Sequence, residues 1–137
     1  MTGDPELHPA DAIAPDGSEI RFLVPPSPGA GSRILLPEPA ARTASLVEVR
    51  LPGGTQSRPV CHRTVEEIWF VLSGRGSVLR TPPEGAPRRD PLLPGVVVVI
   101  PTGWTFSFAA EEGTELRFLC YTSPPWPGDQ EAELADY

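Results

Sequence analysis

The chain has 137 residues, and its 18 acidic against 11 basic residues give a formal net charge of −7. This charge would repel a phosphate backbone, so nucleic acid is not expected as a partner. Every basic residue is an arginine, which removes the lysine Schiff-base route of covalent catalysis. No apolar run approaches the ~20 residues of a membrane span, and the first residues lack the basic and apolar regions of a signal peptide. We therefore expect a cytoplasmic protein without a membrane partner.

The chain is rich in the turn-forming residues proline and glycine, with 19 and 13 residues. They favour short strands joined by turns and oppose long helices. Residues 81–91 hold four prolines and are predicted as a loop. Alternating or β-branched apolar runs predict strands at 20–24, 33–36, 44–51, 58–62, 67–72, 77–80, 96–100, 105–108 and 115–122. Many short strands at this spacing are typical of an all-β barrel or sandwich.

Composition divides the chain into three parts. Residues 1–17 are polar and rich in Pro, Asp and Ala, which predicts a flexible N-terminal arm. Residues 18–123 contain all the predicted strands and are expected to form a single β-barrel domain. Residues 124–137 begin with a tryptophan among prolines and end in acidic residues, so we predict a C-terminal tail.

Two stretches, residues 54–74 and 95–110, each contain two glycines at a defined spacing: Gly54 and Gly74 in the first, and Gly95 and Gly103 in the second. They resemble the paired signature of the cupin superfamily, G-x5-H-x-H-x4-E-x6-G followed by G-x5-P-x-G-x2-H-x3-N. The spacing agrees at each glycine, at Pro101 and at Glu67. The resemblance covers about residues 43–123 and implies a double-stranded β-helix, or jelly-roll barrel. The run from His62 to Trp69 is also similar to short single-domain bacterial cupins.

The resemblance also indicates where a cupin metal would be held. In metal-binding cupins three histidines and a glutamate coordinate one divalent ion. Those positions correspond here to Val60, His62, Glu67 and Phe106, and the asparagine closing the second motif is Ala110. Valine and phenylalanine have no lone pair to donate, whereas catalytic zinc sites normally keep three protein ligands. A degenerate metal centre without a cofactor is therefore the first expectation.

The two cysteines leave a metal-binding alternative open. Thiolate is a strong zinc ligand, but strand alternation should turn Cys61 away from the side that His62 occupies. Cys120 lies on a later strand and could face inward. We expect both thiols to be free in a reducing compartment. The alternative is a divalent Fe, Zn, Mn or Ni ion held by His62, Glu67 and a rearranged third ligand.

Strand parity predicts which side chains share the interior with His62 and Glu67. The expected result is an aromatic cup with one imidazole and one carboxyl group in its wall, which is the usual anatomy of a small-molecule site. The predicted pocket side chains are Val60, Thr64, Trp69, Val71, Trp104, Phe106, Phe108, Phe118 and Cys120. An apolar surround would raise the pKa of a carboxyl group toward neutral pH, where acid–base catalysis is efficient.

Structural interpretations stand beside these functional ones. His62 can be a residue that only hydrogen-bonds Glu67 inside a packed barrel. The aromatic side chains Trp69, Phe106 and Phe108 can simply fill the interior, as they do in small barrels. Glu66 is expected on a solvated face.

Three functions follow as hypotheses, since a fold does not determine an activity. The first is binding of a small organic molecule, with metal-independent proton transfer by His62 and Glu67 in an isomerase, cyclase or lyase type of reaction. The second is a metal-dependent enzyme such as a dioxygenase. The third is a non-catalytic ligand-binding or structural protein. The resemblance and the exposed edges of a short-stranded sheet also predict a homodimer.

Overall fold

The computed structural model describes residues 12–24 and 41–135, and strands dominate this part of the chain. The strands are β1 (Ala12–Ile13), β2 (Glu19–Val24), β3 (Ser45–Leu51), β4 (Val60–His62), β5 (Glu66–Ser73), β6 (Gly76–Thr81), β7 (Arg88–Leu92), β8 (Val97–Ile100), β9 (Thr105–Ala110), β10 (Leu116–Ser123) and β11 (Ala132–Leu134). A 3₁₀ turn, Asp129–Glu131, precedes β11. Among the described residues, no helix has the length and apolar character needed to cross a bilayer.

Two antiparallel sheets form the fold. The first has six strands in the order β1-β2-β3-β10-β5-β8, and the second has five in the order β11-β4-β9-β6-β7. Neighbours in each sheet are mostly distant in sequence, since β10 lies between β3 and β5, and β9 between β4 and β6. This arrangement confirms the predicted all-β jelly-roll fold.

The core lies between the two sheets, and strand alternation decides which side chains enter it. On β5 the side chains of Glu67, Trp69 and Val71 are buried, while the residues between them are exposed. On β10 Phe118 and Cys120 are buried in the same way. Because successive side chains of a strand point to opposite faces, the first set packs against the facing sheet.

The centre of the core is aromatic. The Trp69 ring stacks on Phe118 with centroids 4.2 Å apart and planes at 22°. Phe108 meets both rings edge-on, at 5.1 Å and 5.3 Å. Phe106 lies edge-on to Trp69 at 5.7 Å. Offset-stacked and edge-to-face contacts of this kind stabilise aromatic pairs beyond their apolar burial, by about 0.5–1.5 kcal/mol each.

One turn of the first motif requires its glycine for steric reasons. Gly74 follows β5 with φ of +85°, where L side chains are disfavoured. A Cβ at this position would lie 2.1 Å from the backbone oxygen of Glu115. Gly74 therefore allows the chain to turn directly after β5 while it passes close to the backbone just before β10.

A buried acid on the outer side of the six-stranded sheet pairs with two arginines. Glu48 on β3 lies between β2 and β10, and its Oε1 accepts a hydrogen bond from Arg21 at 2.7 Å. Its other oxygen accepts one from Arg117. Glu48 is buried, so these charge-assisted bonds satisfy a carboxylate that would otherwise be costly to desolvate.

Several sequence predictions differ from the structure. Within the predicted loop 81–91, residues from Arg88 onward form β7, an edge strand that pairs with β6. Within the predicted arm, β1 pairs with β2, and within the predicted tail, β11 pairs with β4. Strands of the two sheets thus lie outside residues 18–123 as well as within them. The rest of the arm (1–11), the predicted strand 33–36 and the last two tail residues lie outside the described residues.

Candidate functional site

The interior of the barrel contains a cavity of about 60 Å³. A water molecule needs about 10–15 Å³ by this measure, so the cavity has room for several water molecules or for a small organic group. Its wall is mostly apolar and aromatic, with a few polar groups. The lining residues are Ala14, Pro15, Asp16, Ser18, Ile20, Phe22, Val47, Val49, Val60, His62, Glu67, Trp69, Phe106, Phe108, Phe118, Cys120, Thr122, Trp126 and Ala132.

His62 and Glu67 meet in the wall of this cavity. His62 ends β4 and Glu67 lies near the start of β5, so the short turn between the two strands brings them together. His62 Nδ1 lies 3.4 Å from Glu67 Oε2, and both residues are buried. This contact is within ion-pair distance, but no hydrogen bond is made at Nδ1. The imidazole therefore presents a buried polar atom without a protein hydrogen-bond partner.

Glu67 is held in place by its neighbours. The indole nitrogen of Trp69 donates a hydrogen bond to Glu67 Oε1 at 2.7 Å. Burial raises the pKa of Glu67, and this effect outweighs the opposing influences of His62, Trp69 and Cys120. A carboxyl group with a raised pKa keeps its proton to higher pH, which is the property required of a general acid.

A second acid, Asp16, lines the same cavity and was missed by the sequence reasoning. It lies in the turn between β1 and β2, where its Oδ1 accepts hydrogen bonds from Ser18 N at 2.9 Å and Ser18 Oγ at 2.6 Å. Burial raises its pKa, while Ser18 and the nearby His62 act to lower it. The run Pro15-Asp16-Gly17 is a turn signal, but nothing in it shows that the turn covers a barrel.

The segment after β10 covers the cavity from another side. The Trp126 ring lies edge-on to His62 with centroids 5.2 Å apart, and its backbone N–H donates to Ser45 Oγ at 3.0 Å. Glu131 then fixes the segment to the turn after β4. Its carboxylate accepts hydrogen bonds from Thr64 N, from Thr64 Oγ1 at 2.7 Å and from Val65 N at 2.8 Å.

Six of the predicted pocket side chains line the cavity beside His62 and Glu67: Val60, Trp69, Phe106, Phe108, Phe118 and Cys120. Three do not. Thr64 is exposed in the turn after β4, where it bonds Glu131. Val71 is buried in the core but outside the lining, and Trp104 is half-buried in the turn before β9. Strand parity places a side chain on a face of the sheet, but it does not give its depth along the barrel.

The residues present do not fit the metal that cupins commonly hold. Val60 and Phe106, at two of the four ligand positions, line the cavity with hydrocarbon. Within residues 12–24 and 41–135, no group of three or more His, Cys, Asp or Glu side chains is arranged to hold an ion. Burial raises the pKa of both the Cys61 and Cys120 thiols, which disfavours the thiolate that a metal needs.

Comparison with known proteins shows which protein family the chain matches. A family model described as "Cupin" matches residues 36–133. No match was found among curated protein sequences.

Solved structures show the same fold at low sequence identity. A variant of oxalate decarboxylase from B. subtilis has 18% identity and a TM-score of 0.70, over 93% of this chain and 30% of that one. CapF, a capsular polysaccharide assembling protein from Staphylococcus aureus, has 16% identity and a TM-score of 0.64, over 72% and 28%. Vicilin from hazelnut, Corylus avellana, has 19% identity and a TM-score of 0.56, over 60% and 25%.

This chain thus spans about a quarter to a third of each of these larger proteins. The likeness extends to the fold alone, whereas the family model matches well over half of the present chain. By that match, and by the two sheets described above, the chain belongs to the cupin family.

Proposed function

We propose that this cupin binds a small organic molecule in its cavity and transfers a proton on it with His62 and Glu67. The observation that supports this most directly is the unpartnered Nδ1 of His62, which is buried 3.4 Å from Glu67 Oε2. A buried polar atom without a hydrogen bond costs about 1–3 kcal/mol, so a ligand that supplies one is favoured. The lining is mostly apolar, and a polar contact is stronger in such surroundings than in bulk water.

The two side chains have complementary roles in this proposal. His62 accepts a proton from the bound molecule, and Glu67, whose pKa is raised by burial, delivers a proton to another atom of the same molecule. The formula of the molecule is unchanged in an isomerisation or ring closure. In a lyase reaction, the leaving group departs with the proton of Glu67. The proton on His62 then returns to Glu67 across the short gap, which restores both groups.

Binding without turnover is the second candidate. It is favoured by the contact between His62 and Glu67, because two groups that face each other at 3.4 Å can satisfy each other without acting on a bound molecule. The metal-dependent alternative has less support, since two of its four ligand positions are hydrocarbon.

A screen followed by an exchange experiment tests the proposal. A library of small polar metabolites is screened for compounds that raise the melting temperature of the protein. Each hit is then incubated with the protein in D₂O and examined by NMR. We expect deuterium to enter a carbon position of the hit in the presence of the wild-type protein and of Glu66→Gln, whose altered side chain is exposed.

The expected loss of exchange is at least about 100-fold in His62→Gln and Glu67→Gln, the range typical of a general acid or base. Binding that persists with no exchange in any of the proteins would favour the non-catalytic candidate. Exchange that survives in both variants would contradict the assigned roles.

A further inference from the structure

The ionisable side chains in the cavity wall are mostly acidic. Two carboxyl groups, those of Asp16 and Glu67, line it together with the imidazole of His62. No arginine is among the described residues that line it, and the chain contains no lysine. A bound carboxylate or phosphate would therefore meet two acids and no permanently charged cation. A bound cation would meet two groups that can carry its counter-charge.

The two carboxyl groups are oriented by their own hydrogen bonds. One oxygen of Glu67 is held by Trp69 at 2.7 Å, and one oxygen of Asp16 is held by Ser18 at 2.6 Å. The second oxygen of Asp16 can accept from a ligand N–H, whereas the second oxygen of Glu67 faces His62 at 3.4 Å. Burial raises the pKa of both acids, and a positive ligand would reduce this cost of carrying negative charge.

The remaining wall suits the apolar part of such a ligand. The aromatic side chains Trp69, Phe106 and Phe108 line the cavity beside Glu67. Aromatic faces attract cations, by about 0.5–2 kcal/mol for a desolvated pair. The volume of about 60 Å³ has room for a small organic group.

We infer that the cavity selects a small organic cation, of the amine or amidine class, over carboxylates and phosphates of similar size. This inference rests on the proposed function, because it names the substrate class of the same site. In the bound state, the ligand nitrogen donates to Asp16, and its carbon atoms contact the aromatic wall beside Glu67.

Three probes of matched size test the charge preference: propylamine, propionamide and propionate. Each is titrated into ¹⁵N-labelled protein at pH 7, and the indole N–H resonances of Trp69 and Trp126 are followed by NMR. The resonances are assigned with Trp69→Phe and Trp126→Phe. We expect propylamine, present as its cation, to shift the Trp69 resonance with a Kd at least about tenfold lower than that of propionate.

Matched variants separate the site from general charge effects. Asp16→Asn should weaken propylamine binding by at least about fivefold, while Asp129→Asn, which removes an exposed acid, should leave it unchanged. A stability measurement on Asp16→Asn shows that a loss of binding does not come from a loss of folding.

Each outcome decides the inference. Tighter binding of propionate or propionamide than of propylamine would overturn it, yet would still agree with a small-molecule site and so leave the proposed function intact. Equal effects of Asp16→Asn and Asp129→Asn would also overturn it. If none of the three probes shifts the Trp69 resonance, the inference fails, and the proposed function is judged by its own deuterium-exchange experiment.

Discussion

Two adjacent glutamates show how strongly one step along a strand changes the chemistry of a side chain. Glu66 points outward from β5 and is exposed, whereas Glu67 points inward and is buried. Burial raises the pKa of Glu67. The folded protein therefore binds more protons than the unfolded chain between the ordinary pKa of a glutamate and the raised value. In that window, the stability contributed by this group falls as the pH rises.

The Glu67→Gln variant tests this sign. Glutamine keeps the oxygen that accepts from Trp69 but removes the charge. We expect the variant to gain stability relative to the wild type as the pH rises from about 4.5 to 8, by about 1.4 kcal/mol for each unit by which the pKa is raised. Urea denaturation at several pH values measures the difference.

Glu66→Gln is the control for this experiment. Its side chain is exposed, so its difference from the wild type should not change with pH over the same range. A constant difference for Glu67→Gln as well would contradict the raised pKa.

The segment from residue 124 to β11 lies against the barrel. Glu131 fixes it to the turn after β4 through three hydrogen bonds from Thr64 and Val65. Burial acts to raise the pKa of Glu131, but these hydrogen bonds outweigh it and hold the pKa below its usual value. A lowered pKa means that this stabilisation is present above the ordinary glutamate pKa and is lost as the pH falls through the folded value.

We expect Glu131→Gln to destabilise the protein at pH 7 by about 1–3 kcal/mol, because a charged acceptor is replaced by a neutral one. The loss should shrink below pH 4. Glu133→Gln is the matched control, since its ion pair with Arg63 lies at the surface and contributes at most about 1 kcal/mol. Urea denaturation of both variants measures the difference, and equal losses would show that Glu131 does not anchor the segment.

The sequence predicts those strands whose burial on one face produces an alternation of apolar and polar residues. β5 and β10 alternate because one face of each is buried, and the inward side chains Glu67, Trp69 and Phe118 follow from that alternation. β7 left no such pattern. It is an edge strand with four exposed residues, one of which is a proline, and an edge tolerates proline because one side of the strand needs no donor.

The missing parts of the site depend on contacts between distant residues. Asp16 and Trp126 reach the cavity from segments before and after the predicted barrel, and both lie near His62. Turn chemistry at Asp16 and prolines around Trp126 are visible in the sequence, but the surface that each segment covers is not. The ligand positions of the motif were visible only through the family resemblance.

At the scale of the whole molecule, one outer face stands out as apolar. Ile68 and Phe70 on β5 pair with Val99 and Val97 on β8, and these four side chains are exposed. Leu72 adjoins them on β5. β8 is also an edge strand of its sheet. Contiguous exposed apolar side chains on a soluble domain commonly mark an interface, so this face is the best place for the homodimer that the sequence predicts.

The double variant Phe70→Ser/Val97→Ser should weaken self-association, raising the dimer Kd at least about tenfold as measured by sedimentation equilibrium. Leu134→Ser, which alters an exposed side chain on the other sheet, serves as the control and should have no effect. If sedimentation equilibrium shows that the wild-type protein is monomeric at high concentration, this interface is ruled out.

The tryptophans give the site a built-in optical reporter. Of the three in the chain, Trp69 donates to the carboxyl group of Glu67, and Trp126 lies against the ring of His62. Indole emission is quenched by a nearby imidazolium and shifts in wavelength with the local electric field. The fluorescence of Trp69 therefore reports on Glu67, and that of Trp126 reports on His62. Titrating the unlabelled protein while exciting at the red edge of indole absorption would follow protonation inside the barrel, and comparison of Trp69→Phe with Trp126→Phe would separate the two signals.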